Sequence, residues 1–174
     1  MRKNNKLLLH IGCGNIDRPY FTNVDARNLP HIHHVTNDIT NLSFIEDNSV
    51  DLIYACHVIE HISWHRQPYL FEHFFKKLKS GGILRLAAPD FDKIVRIYTK
   101  AKKNLSTIMG PLFGGQDYIY NFHNCTYNYS ALKGFFSEVG FVKIKKWNPK
   151  KVEYHDFKDT STHPVSINLQ GIKP

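Results

Sequence analysis

Nowhere does this sequence approach the roughly 20 consecutive apolar residues that a membrane-spanning helix needs. Its N-terminus, Met1 to Lys6, leads straight into a strand-like run, so no targeting segment is expected. Cysteine is scarce. Cys13, Cys56 and Cys125 lie far apart and are odd in number, which excludes a disulfide framework or a zinc ribbon and points to a reducing, cytoplasmic compartment. Internal repeats and linkers are also missing, so the expectation is one domain over residues 1–174. Apolar residues are not lacking: 42% of the chain is hydrophobic and 13% aromatic, which excludes disorder. A chain of this length buries roughly 70% of its extended surface on folding.

Negative charge is the deficient sign, with 15 Asp and Glu against 23 Lys and Arg, a net +8. Such a balance favours acidic partners: nucleic acid, phosphorylated sugars or an anionic lipid surface. The basic residues are nevertheless scattered over Lys76 to Lys79, Lys93 to Lys103 and Lys143 to Lys151. Nucleic acid is therefore a partner class left open, not the favoured one.

What is present reads as an α/β pattern. Leu7 to Ile11 is a short apolar run ended by Gly12-Cys13-Gly14, a buried strand stopped by a turn. Phe21 to Asp25 and His33 to Asp38 are weaker strands. Val50 to Cys56 is apolar enough to be covered on both faces, as parallel strands are. Between Gln67 and Lys79, Leu70, Phe71, Phe74, Phe75 and Leu78 recur with a helical period that Ser80-Gly81-Gly82 ends, and Ile83 to Ala88 is the next strand. Asp90 caps a second helix and Ser130 a third, which Gly140 closes. Residues 104–129 show no period, and a loop of that length in a small domain is usually functional. Phe141 to Trp147 and Val165 to Ile172 are the last strands, joined by a polar loop.

A strand that ends in Gly-x-Gly lets a ligand approach bare backbone, because no side chain stands in its way. At the carboxyl end of a parallel sheet that is where nucleotide cofactors bind. Two details argue against a nicotinamide enzyme. Asp17 stands where the third glycine of the dinucleotide fingerprint belongs, and Asp25 lies only 11 residues beyond Gly14, where about 20 are expected. Asp25 ends the second strand, where a carboxylate can accept both hydroxyls of a ribose. Asp38 ends the third, where a carboxylate can accept an adenine amino group while Ile39 covers the ring.

Four blocks in this order carry a resemblance: Leu9 to Asn15, Asn23-Val24-Asp25, Asn48 to His61, and Lys79 to Leu86. They resemble class I S-adenosylmethionine-dependent methyltransferases, most closely the small bacterial type-11 kind often seen beside surface-polysaccharide genes. Those also have a shortened stretch after the glycine turn, and a Gly-Gly-Gln followed by His, here Gly114-Gly115-Gln116 and His123. The resemblance implies a Rossmann-like sheet of about seven strands with helices on both faces, the last strand antiparallel and the first helix shortened. It implies S-adenosylmethionine as cofactor, with Gly12, Cys13, Gly14 and Asn15 around the methionine part. Asp25 and Ala26 would stand at the ribose, Asp38 and Ile39 at the adenine, and Cys56 and His57 against the cofactor after strand four. Residues 15–20 are too few for the usual first helix, so an irregular turn is expected there.

His57-Val58-Ile59-Glu60-His61 spells H-x-x-E-H, an inverted zinc-peptidase motif. It begins where a strand ends, and no third-ligand helix follows, so a zinc hydrolase is disfavoured and no metal is expected. A metal held by Glu60, His61 and another His, as in RNA 3′-end methyltransferases, is a related arrangement, from which His57 departs because an acid stands first in that pattern. Methyl transfer is an in-line displacement that needs a positioned acceptor, and a hydroxyl acceptor benefits from a base. His61 is the first candidate, with His57 and His123 next. Residues 110–129 are the candidate acceptor wall, with Gln116, Asp117, Tyr120 and Tyr127 as substrate contacts, a set that suits a sugar or small polar molecule. The leading expectation is transfer to oxygen, with nitrogen second, of a small or glycan-linked acceptor. An RNA methyltransferase and a non-catalytic binding module of the same fold are the alternatives.

Overall fold

The computed structural model describes residues 5–154 and 158–174; residues 1–4 of the N-terminal stretch and 155–157 of the polar loop lie outside it. Seven strands form a single sheet: β1 (Leu8–Ile11), β2 (Thr22–Asp25), β3 (His34–Val35), β4 (Val50–Cys56), β5 (Leu78–Pro89), β6 (Val142–Lys146) and β7 (Ser166–Ile172). Their order is β3-β2-β1-β4-β5-β7-β6. The first five are mutually parallel, and β7 runs antiparallel between β5 and β6. The expected seven-stranded α/β architecture is therefore present.

Helices are unevenly distributed over it. The crossovers β1–β2, β2–β3 and β3–β4 contain none; residues 12–21 are irregular turns, as their shortness requires. α1 (Gln67–Lys77) follows β4, and α2 (Phe91–Lys100), α3 (Met109–Phe113) and α4 (Tyr129–Glu138) lie between β5 and β6. α1 and α4 cover one face: Leu70, Phe71, Phe74, Leu132 and Phe136 are fully buried against Leu9, Ile11, Ile53, Leu84 and Leu86. The apolar cluster containing Leu8, Leu52, Tyr54 and Ala87 is closed instead by Phe21, Trp147, Val152 and Tyr154, all from loops. Among the described residues no helix is long and apolar enough to cross a membrane.

Three local readings change. β5 begins at Leu78 and runs through Gly81-Gly82, so these glycines sit within the strand and do not punctuate before it. Residues 104–129 are not structureless, because they contain α3 and a 3-10 turn at Leu105–Thr107. The cap of α4 is Asn128, whose side chain accepts from Ala131 N at 3.0 Å, two residues before the expected Ser130. Asp90 caps α2 as expected, accepting from Asp92 N.

Candidate active site

Parallel strands β1, β2 and β4 end at one edge of the sheet, and the turns leaving them enclose a cavity of about 470 Å³. At one end is the glycine turn. Gly12 and Gly14 both have φ near +60°, the left-handed region that glycine enters without steric cost. A Cβ on Gly12 would stand 2.1 Å from Val58 Cγ2, so the turn leaving β1 packs directly on the one leaving β4. Gly12 N donates to Val24 O at 2.7 Å, which extends the β1–β2 pairing into the turn.

Asp25 closes this end. Its Oδ2 accepts from Gly14 N at 2.8 Å, and its Oδ1 accepts from Arg27 N at 2.9 Å and Arg27 Nε at 3.1 Å. The carboxylate thus ties the two turns together, and the Arg27 guanidinium reaches over the Tyr118 ring 5.5 Å away. Gly12, Cys13, Gly14, Asn15, Asp25, Ala26, Ile39, Cys56 and His57 all line the cavity. Asp38 does not. Its carboxylate accepts from Thr40 N and Oγ1 and from Arg66 Nη2 at 2.9 Å, while Thr36, Asn37 and Ile39 form the wall nearby. Burial raises the Asp38 carboxyl, but the bonds from Arg66 and Thr40 outweigh it and leave it below its ordinary value.

The other end is built by the segment after β4. His57 has φ +53° and stops the strand, and Ile59–His61 make only a 3-10 turn. His57 and His61 therefore do not share a helical face, and the peptidase geometry is not formed. The three candidate histidines still converge on Glu60. His57 Nδ1 is 3.4 Å and His123 Nε2 4.0 Å from Glu60 Oε1, and the His61 and His123 rings lie 4.9 Å apart. Glu60 is fully buried, and burial pushes its carboxyl up to about 8. Burial holds His57 down at about 4 and also lowers His61 and His123.

Residues 118–124 roof the cavity through Tyr118, Ile119, Tyr120, Asn121, Phe122, His123 and Asn124. They are pinned to the 3-10 turn, because Asn124 N donates to Glu60 O at 2.8 Å and Asn124 Nδ2 to His61 O at 2.7 Å. Of the four candidate substrate contacts only Tyr120 lines the cavity. Gln116 and Asp117 are exposed and bond within their own loop, to Phe113 O and Asn121 Nδ2. Tyr127 is buried in the main core, its hydroxyl donating to Ile59 O at 3.2 Å. Thr160, from the segment before β7, joins the wall beside Cys56, with Oγ1 3.2 Å from Cys56 Sγ. The sequence reading missed it because nothing local marks a threonine 104 residues away as a neighbour. Burial disfavours the thiolate of each cysteine: it pushes the Cys13 thiol up to about 12 and raises Cys56 and Cys125 as well.

Residues 16–86 match the family model described as a methyltransferase domain. No curated protein matches the chain. Among solved structures, a SAM-dependent methyltransferase from Archaeoglobus fulgidus superposes with TM-score 0.63 at 15% identity, over 97% of this chain and 86% of that one. A SAM-dependent methyltransferase from Thermotoga maritima gives 0.59 at 15%, over 97% and 82%. Phosphoethanolamine N-methyltransferase 2 of Haemonchus contortus, in complex with S-adenosyl-L-methionine, gives 0.55 at 13%, over 100% and 50%. At such identities the likeness is one of fold, and the family match adds the activity class. The matched stretch is less than half of the chain; with the shared fold it supports a methyltransferase enzyme that uses S-adenosylmethionine as its cofactor.

Proposed function

We propose that this S-adenosylmethionine-dependent methyltransferase, acting as one domain over residues 1–174, transfers the methyl group to an oxygen of a small or glycan-linked acceptor, as in surface-polysaccharide synthesis. The cofactor lies along the glycine turn and Asp25, and the acceptor enters beneath Tyr118, Tyr120 and Phe122. The observation that carries this reading is the presence of His61 and His123 in the wall of the same cavity as the glycine turn. Each is fixed in its tautomer. His61 Nδ1 lies 3.0 Å from Phe122 O and His123 Nδ1 3.0 Å from Pro111 O. A carbonyl only accepts, so Nδ1 carries the proton and Nε2 of the neutral ring keeps its lone pair. A hydroxyl placed there has a base within reach, with His61 first, while a sulfonium methyl needs only in-line placement and exclusion of water.

Asn121 and Asn124 add amide groups beside the aromatic rings, a combination that suits a polar, hydroxyl-bearing molecule. The three free cysteines fit a cytoplasmic site of action. The test is calorimetric titration with S-adenosylhomocysteine, with NAD as control, followed by a methyl-transfer screen over sugars, sugar nucleotides and RNA. Saturable binding of the first compound alone, with turnover on a hydroxyl acceptor, is the expected result. Turnover on RNA with steep salt dependence would replace the small acceptor by nucleic acid.

A further inference from the structure

Glu60 is the most exceptional side chain in the described structure. It is fully buried, and no other described residue donates a hydrogen bond to its carboxylate, whose one favourable contact is its own backbone N–H. Buried carboxylates are normally met by two or three donors, because an unpaired charge or acceptor in a low-dielectric interior is costly. What surrounds Glu60 is instead a set of further acceptors. His61 and His123 each give their Nδ1 proton to a backbone carbonyl, which leaves Nε2 bare. His57 completes the set. Ser166 Oγ donates to Thr160 O at 2.5 Å, so at 2.7 Å it can only accept from His57 Nε2, and His57 Nδ1 is then a bare nitrogen 3.4 Å from Glu60 Oε1.

One ligand atom from each of Glu60, His61 and His123 lies within 4.8 Å of the other two. A single proton on Glu60 would satisfy one of these acceptors and leave the rest facing one another. A divalent cation satisfies them together. The surrounding bonds are also those that orient metal-binding imidazoles, each ring held through its far nitrogen by a carbonyl. The histidines line the cavity, so a fourth coordination position would open towards the acceptor.

We propose that Glu60, His61 and His123 bind one divalent transition-metal ion of the zinc class at the acceptor end of the cavity, with His57 orienting Glu60. Two imidazoles and one carboxylate with an open position suit such an ion better than magnesium, which prefers oxygen ligands alone. This rests on the functional reading above for its purpose, and the bound ion replaces His61 as the group that activates the acceptor hydroxyl. A ring that shares its lone pair with a metal cannot also accept a proton, so in the loaded protein the ion would stand where the acceptor hydroxyl is activated.

Chelator-washed protein titrated with Co(II), followed by visible absorption and by calorimetry, tests the site without requiring turnover. One equivalent bound with the spectrum of nitrogen-ligated cobalt, and displaced by Zn(II), is expected. Glu60→Gln, nearly isosteric, and His123→Ala should each weaken binding at least about tenfold, whereas exposed His65→Ala should not change it. Absence of the cobalt spectrum, equal affinity in the variants, or magnesium binding as tightly as cobalt would overturn the assignment. S-adenosylhomocysteine binding on the same samples separates the failures. If it persists without cobalt binding, the metal site alone is wrong; if both are absent, the functional reading falls as well.

Discussion

Two acids stand by the cavity, Asp25 in its wall at the end of β2 and Glu60 buried behind His61 in the turn after β4, and they are served in opposite ways. Asp25 is 6% exposed and accepts from three N–H groups, all within its own turn and the adjacent glycine turn. Glu60 is wholly buried and accepts from no other described residue. The charge of Asp25 is thus offset by the fold itself, and the site around it is ready before any ligand arrives. The fold gives Glu60 no such donors and rings it with imidazole lone pairs. On the proposed assignment, that difference separates a cofactor end whose acid is already satisfied from an acceptor end that needs a proton, a metal or a substrate to be completed.

The comparison can be broken most severely at Asp25. Asp25→Ala removes the proposed acceptor of the ribose hydroxyls and releases Gly14 N, so S-adenosylhomocysteine affinity should fall at least about a hundredfold, two lost charge-assisted bonds being worth about 3 kcal/mol or more. Calorimetry together with a circular dichroism spectrum would show whether binding is lost in a folded protein; retained affinity would refute the assignment. At the other end, His61→Ala should lower kcat by about two orders of magnitude while leaving the dissociation constant of S-adenosylhomocysteine within about threefold. Equal loss of both quantities would place His61 in cofactor binding instead.

A smaller effect concerns pH. The Glu60 carboxyl stands at about 8 in the fold against an ordinary 4.5. Between those values the folded state holds a proton that the unfolded chain has lost, so stability falls as pH rises. His57, held at about 4, works in the opposite direction up to its ordinary 6.5, which leaves the window from 6.5 to 8 to Glu60. Chelator-treated protein should lose about 2 kcal/mol across that window, and Glu60→Gln should not. Denaturant titrations at the two pH values measure this directly, and a slope unchanged in the variant would show that Glu60 is ionised in the fold. Smallest of all, Tyr127→Phe should cost about 1 kcal/mol of stability through its lost bond to Ile59 O and leave KM unchanged, because its ring packs in the core and not in the cavity. A raised KM would return Tyr127 to the acceptor wall.

Several of these features were legible in the chain because they are local. The left-handed turn at Gly12 and Gly14, the Asp90 cap and the helix-free stretch after β1 each follow from a few adjacent residues. The readings that shifted depended on which partner a side chain reaches. Asn128 and Ser130 are both good caps, and only the bond to Ala131 N selects the first. Tyr127 and Tyr120 are equivalent as letters, yet one packs against Phe135 in the core and the other lines the cavity. Asp38 does not end its strand as expected: β3 stops at Val35, and Arg66, 28 residues later, draws the Asp38 carboxylate towards Thr40 and itself.

The sequence by itself determined the strand and helix periodicities, the glycine turn with its following acid, and the presence of three candidate histidines. Those depend on residue spacing along a strand or turn, which chain geometry converts directly into position. Only the tertiary structure decided that His57, His61 and His123 meet around one fully buried carboxylate. His57 and His61 flank Glu60 along the chain, but His123 is brought to it by the backbone bonds of Asn124 and Cys125 to Glu60 O across more than 60 residues. Such convergence is set by which buried polar groups find partners on folding, and no local pattern encodes the ones left without them.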